Sequence, residues 1–228
     1  MAKTGIPKNS VFFTANGLSF QLVAGLAAAG LNLALSALMQ CLHIPLFMDT
    51  LFTAATSFLG TVCGITSAVA THAIYFVLQG MDFPKDIPNL VFMLCNLTVA
   101  AGVRILVRTE KRGKIQTSPL HLLALGIVLA LVISMEGGVF YVLLITYSEY
   151  KVDTPAVSTL IYTLVTQGIP LAASAMLARI PVNLIDKLIA VFGGWGIALI
   201  VKRTAKRAVQ NVCHKKENDF NDEKTDSD

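Results

Sequence analysis

The chain has 228 residues, 54% of them hydrophobic and 14% charged, against roughly 25% charged in ordinary globular domains, which excludes a water-soluble fold. Its 18 basic and 14 acidic side chains leave a formal charge of +4; the excess is small and gives no reason to expect a nucleic-acid partner. The length accommodates one membrane domain and no second folded unit.

No Asp, Glu, Lys or Arg occurs from 9 to 48, and after Asp49 none occurs from 50 to 81. Uncharged apolar runs beyond about 18 residues read as membrane spans. Lipid offers no partner for open backbone groups, so the spans must be helices. The first run is too long for a cleaved signal peptide, whose apolar core is roughly 7–15 residues. The first expected helix is 18–42, ended by His43-Ile44-Pro45 because proline disfavours helical geometry in the residue before it. The block 49–80 is too long for one span and short for two; Gly60 and Gly64 at its middle predict a split into two short helices. A span at 88–107 opens on Pro88, a favoured early position, and 120–147 follows. Next comes 156–178, interrupted by Gly168 and Pro170, and, after Arg179-Ile180-Pro181, a last span at 182–201.

Basic residues mark cytoplasmic loops. Lys3 and Lys8 precede the first helix; Arg104, Arg108, Lys111, Arg112 and Lys114 crowd one connection; Lys202, Arg203, Lys206 and Arg207 follow the last span. Placing all three clusters on one side demands an even number of crossings between them. The expected fold class is therefore an all-α integral membrane protein with six transmembrane helices, both termini cytoplasmic, and 156–178 as a re-entrant or surface-packed helical segment before the last span. The divisions are a cytoplasmic segment 1–17, a six-helix membrane domain 18–203, and a cytoplasmic tail 204–228, basic then acidic. The polar end from Glu217 onward cannot bury apolar surface and is expected to be disordered.

Enzyme signatures are missing. There is no HExxH or GxSxG motif, and Gly113-Lys114 is followed by Ile115, so it is not a nucleotide-binding loop. No enzyme activity, metal or cofactor is expected. Of the four cysteines, Cys41, Cys63 and Cys95 lie in apolar segments and read as small buried hydrophobes; none forms a CxxC pair with another or with Cys213.

Intramembrane polar residues are costly and tend to be functional. Glu136 lies roughly 24 Å above Leu120 by helix rise, and Asn96 about 12 Å below the outer end of its helix. Asp49 opens the second helix, while Asn183 and Lys187, four apart, share one face of the last. Asp49, Asn96, Glu136, Asn183 and Lys187 thus fall at a common depth in the outer half, as a solute site open to the outside requires. The bland alternatives are that Asp49 caps its helix, that Asp186 and Lys187 pair at the interface, or that Lys187 snorkels. Asn32 and His72, nearer mid-depth, are expected to make helix–helix hydrogen bonds. In the first helix Ala24-xxx-Ala28, Gly25-xxx-Ala29 and Gly30-xxx-Ala34 place small residues four apart, which suits close packing within the protein or against a partner.

The order of these features resembles the substrate-binding S component of energy-coupling factor (ECF) transporters. The resemblance rests on the small-residue first helix, the Ile44-Pro45-Leu46-Phe47-Met48-Asp49-Thr50 lead into a short helix, the basic connection, and the Arg179-Ile180-Pro181-Val182-Asn183-Leu184-Ile185-Asp186-Lys187 opening of the last helix. It covers about residues 15 to 205. It implies a six-helix protein of the bacterial cytoplasmic membrane that captures a vitamin or similar micronutrient from outside. Such a protein docks on a transmembrane coupling subunit with two ATPase subunits. By the same resemblance Ala24 and Ala28 serve docking, and Asn183 and Lys187 match the Asn and Lys that open the last helix of riboflavin-binding members. The aromatic residues that would surround a flavin are not evident, which argues against riboflavin. Two alternatives stay open: the membrane sensor domain of a signalling receptor, and a membrane protein of unrelated function, such as an enzyme using Asp49 or Glu136. A short polar tail without an output domain speaks against the sensor.

Overall fold

The computed structural model describes residues 17–80, 90–109, 118–147 and 155–225. Among the described residues there are seven α-helices and no strand: α1 (Gly17–Cys41), α2 (Leu51–Leu59), α3 (Thr61–Leu78), α4 (Met93–Thr109), α5 (Pro119–Tyr147), α6 (Pro155–Thr166) and α7 (Leu171–Thr225). Four are long and apolar enough to cross a membrane: α1, α3, α5 and the stretch Leu171–Arg207 of α7. Their outward faces carry Leu, Ile and Val, such as Leu18, Leu26, Val128 and Ile200, all more than 50% exposed. An apolar exterior of this extent belongs in lipid, and the protein is a membrane protein.

Local sequence explains most helix ends. α1 closes with a paired hydrogen-bond cap: the Ile44 N–H donates to the Met39 carbonyl (3.0 Å) and the His43 N–H to Gln40 (3.1 Å). Such a cap needs a left-handed residue, usually glycine, and here it is His43 at φ 55°. The end of α6 is built the same way, with Ile169 donating to Leu164 and Gly168 to Val165, and there the left-handed position is a glycine, φ 87°. α2 and α3 are separated by Gly60 alone, in extended conformation, as the split of the 49–80 block predicts.

Two boundaries differ from expectation. The break after 155 falls at 167–170, with Pro170 leading into α7, and not at Arg179-Ile180-Pro181; Pro181 lies inside the continuous α7. Proline removes one N–H and crowds the carbonyl four residues back, a defect that packed membrane helices tolerate when neighbours serve the freed groups. The tail also departs from the disorder expected of it, since α7 stays helical to Thr225. Each residue added to an existing helix gains a hydrogen bond without a new nucleation cost. Residues 1–16, which hold Lys3 and Lys8, and the connection with Lys111, Arg112 and Lys114 lie outside the described residues.

In the packing, α7 lies along α5, α1 along α3, and α2 is wedged between α3 and α7 with contacts to α1 and α4. Phe58, Val99, Val103, Leu122, Leu129 and Val191 form the main apolar core where α2, α4, α5 and α7 meet. α6 packs on α5 and α7 through Val157, Ile161, Tyr141, Ala175 and Ala178. Close approach is set by glycine at α2 and α7: a Cβ on Gly194 would stand 2.8 Å from the Ala55 nitrogen and 2.9 Å from the Ala54 Cβ. Cys63 and Cys95 are buried, while Cys41 is exposed, unlike its expectation.

Candidate functional site

The ends of α1 and α3, the segment 43–49, the start of α4, the middle of α5 and the N-terminal half of α7 surround one cavity of about 720 Å³. Ligand cavities run about 300–1,000 Å³, so the space suits a small organic solute. Apolar walls come from Leu33, Phe47, Phe92 and Ile133, and the polar lining includes Asp49, His72, Tyr75, Asn96, Arg179, Asn183 and Lys187.

Charge is concentrated on one side. Lys187 is 2% exposed and Asp186 0%. The Lys187 ammonium donates to Asp186 Oδ2 at 2.6 Å and to Thr50 Oγ1 at 3.0 Å, and stands 4.0 Å from Asp49 Oδ1. Neighbouring helix residues do not face each other; the four-carbon stem of Lys187 lets its ammonium turn back onto Asp186. The second oxygen of Asp186 accepts the Met48 N–H at 2.8 Å, and Met48 is in left-handed backbone geometry, φ 50°. A non-glycine residue there is strained by about 1–3 kcal/mol. The buried charge on Asp186 therefore ties the segment over the cavity to α7. The Asp186–Lys187 pair exists, as one bland reading held, and both side chains are buried within the bundle.

Asn96 is fully buried; its amide nitrogen donates to His72 Nε2 at 2.9 Å and reaches the Asp49 carbonyl at 3.5 Å. Asn183 donates to Ser134 Oγ at 3.0 Å, joining α7 to α5. Asn32 links three helices: it donates to Thr53 Oγ1 at 2.9 Å, approaches Thr71 Oγ1 at 3.4 Å, and accepts the Phe52 N–H at 2.9 Å. Thr50, at the N-cap of α2, makes no side-chain cap bond, so the open N-terminus of this short helix is served by a residue of α1 instead.

Four of the five expected site residues, Asp49, Asn96, Asn183 and Lys187, line this cavity. Glu136 does not. It sits in a separate shallow groove between α4 and α5 with Leu94, Leu97, Thr98, Ala101 and Phe140, accepting a hydrogen bond from Thr98 Oγ1 at 2.8 Å. Its depth suited the cavity, but its direction around the α5 axis does not: the next residue, Gly137, is the one on the cavity wall. Ala28 is 4% exposed and shares a helix face with Gly25, whose Cβ would meet Thr66 Cβ at 2.7 Å. That face is occupied by α3, so Ala28 is not presented to a partner, and Ala24 is half-buried.

Arg179 escaped the sequence reading. It is 2% exposed, donates to the Ala175 carbonyl at 2.9 Å and stacks on the Tyr141 ring at 4.8 Å. An arginine within an apolar stretch is itself a signal, masked here because Pro181 made it look like a helix end. No family model, characterised protein or solved structure matches the chain.

Proposed function

We propose that this protein is a membrane-embedded substrate-capture subunit that takes up a vitamin or similar micronutrient and works with a separate ATP-driven coupling module. One observation carries the reading: Asp49, Asn96, Asn183 and Lys187 converge from two helices and a loop on one cavity, roofed by 43–49. A cavity with a few convergent polar groups is the ordinary form of a solute site.

The arrangement also supports an orientation. The cavity occupies the end of the bundle away from Gly60, whereas Arg104 donates to the Ser57 carbonyl at 3.1 Å near that turn. Lys and Arg favour the cytoplasmic side, so the cavity end faces out and the Arg104 end in. In this topology α1 to α5 and α7 make six crossings, and α6 packs on α5 and α7 with Ala156 at the cavity wall. α2, at nine residues, rises only about 13 Å, and the segment 44–50, at up to about 3.3 Å per residue, supplies remaining depth. The partners are a transmembrane coupling subunit and its two ATPase subunits in a bacterial cytoplasmic membrane.

Mass spectrometry of small molecules released from the purified protein tests this reading. A single compound, retained near one equivalent and reduced in an Asn183→Ala variant, is expected. An empty, well-folded protein that binds no metabolite contradicts it. A second reading, the membrane sensor of a signalling receptor, is favoured by the continuation of α7 as helix to Thr225, a geometry suited to relaying a signal. Uptake of the bound compound by cells that carry the gene, and its loss in cells that lack it, separates transport from sensing.

A further inference from the structure

The capture reading leaves the chemistry of the solute open, and the charges around the cavity narrow it. Two carboxylates, Asp49 and Asp186, share one ammonium, that of Lys187. The sharing is unequal: Lys187 lies 2.6 Å from Asp186 and 4.0 Å from Asp49. The Asp186 side chain is fully buried and its second oxygen is taken by the Met48 N–H. The excess negative charge of the trio therefore rests on Asp49, which is also the member open to the cavity, with 28% of its side chain exposed.

Arg179 does not cancel that charge. It stands eight residues before Lys187, about 12 Å along the helix axis, and its guanidinium turns further away, onto the Ala175 carbonyl one turn back. A charge pair at about 12 Å is worth roughly a third of one at 4 Å in the same medium.

A second observation points to the same wall. The Asn96 side chain lines the cavity; its nitrogen is engaged by His72 and by the Asp49 carbonyl, but its Oδ1 is buried with no hydrogen-bond donor. Buried acceptors without donors are rare in native proteins. What the wall lacks is therefore a hydrogen-bond donor with positive charge.

We infer that the cavity selects a solute with one compact cationic, donor-bearing head, such as a primary amine, an amidine or a protonated ring nitrogen, seated between the Asp49 carboxylate and Asn96 Oδ1. Its apolar body lies on the side that Phe47 and Phe92 line. The assignment rests on the capture reading and sharpens it by fixing the sign of the charge.

The test uses the purified full-length chain and sets of probes that share one aromatic body and differ only in the head: amine, alcohol or carboxylate. Indole and pyrimidine bodies serve, and binding is read by equilibrium dialysis and by the shift in melting temperature. The amines are expected to bind at least tenfold more tightly than the matched carboxylates. Asp49→Asn, which keeps the shape, and Asn96→Leu are each expected to weaken amine binding tenfold or more. Binding confined to carboxylates overturns the inference and leaves the capture reading standing. So does amine binding that Asp49→Asn leaves unchanged in a variant with wild-type melting temperature. Failure of every probe, together with the absence of any co-purified compound, overturns both.

Discussion

α2 and α7 run side by side through two unlike regions. Where Ala54 and Ala55 meet Gly194 the helices touch at backbone distance. Two turns back along α7, at Lys187 and Thr50, the same helices are joined by buried polar groups beside an open cavity. The first region has no space for an added atom. The second has space, but it cannot lose a partner, because each buried charge relies on another. Tight packing fixes where the helices stand, and buried ions against that fixed frame hold a strained segment over a hollow.

Removing a charge from the second region is expected to have the largest effect. Lys187→Met leaves Asp186, at 0% exposure, with a buried carboxylate and no ammonium, and breaking a buried pair in this way costs about 3–5 kcal/mol. Denaturant unfolding in detergent measures the loss. The double change Asp186→Leu with Lys187→Met removes both charges and is expected to recover most of it, since an apolar pair of similar volume often replaces a buried ion pair at no cost. A double variant as unstable as the single one would mean that the Met48 N–H bond to Asp186, and not the ion pair, carries the stability.

Adding an atom to the first region comes next. In Gly194→Val the new Cβ meets the Ala55 nitrogen and the Ala54 carbonyl carbon at 2.8 and 3.1 Å, which are backbone atoms and cannot swing aside. Overpacking of this kind costs about 1–3 kcal/mol. Both regions share α2, so the shift should also loosen Thr50 and Lys187, and solute affinity is expected to fall along with the melting temperature. An unchanged affinity would show that the two regions are mechanically independent.

Asn32→Leu probes the joint between α1 and α2. It removes an acceptor from the Phe52 N–H, in the first turn of α2, and a donor to Thr53. Leaving such buried groups without partners costs about 1–3 kcal/mol. Hydrogen exchange at the start of α2 is expected to speed up before the rest of the bundle is affected.

The sequence made some of this legible and hid the rest for one physical reason. The split at Gly60, the end of α1 near Pro45 and the shared face of Asn183 and Lys187 follow from spacing along the chain, which the sequence displays directly. Asn32 and His72 do make interhelical bonds, since a buried amide or imidazole in lipid must find a partner. Rotation about a helix axis is different, because neighbours set it. Glu136 and Gly137 are adjacent, yet only Gly137 faces the cavity. Ala28 belongs to a small-residue pattern that suits a partner or α3 equally well, and contact with α3 decides it. Pro181 reads as a stop, but packing against α5 carries α7 through it.

The small residues of α1 give the finest comparison and the smallest effect. Gly25 and Gly30 belong to one pattern and look interchangeable in sequence. A Cβ at Gly25 would lie 2.7 Å from Thr66 Cβ and 2.9 Å from the Cys63 carbonyl oxygen, whereas at Gly30 nothing stands within 4 Å. Gly25→Leu is expected to lose about 1–3 kcal/mol through overpacking, and Ala28→Leu, on the same inward face, to behave alike. Gly30→Leu projects from the bundle and adds a good helix former in place of the poorest residue short of proline. Its effect on unfolding is expected to stay within about 0.5 kcal/mol or to be slightly stabilising, with solute affinity unchanged. Equal losses at Gly25 and Gly30 would mean that α1 is turned differently from the face that Gly25, Ala28, Ala29 and Asn32 now present to the interior.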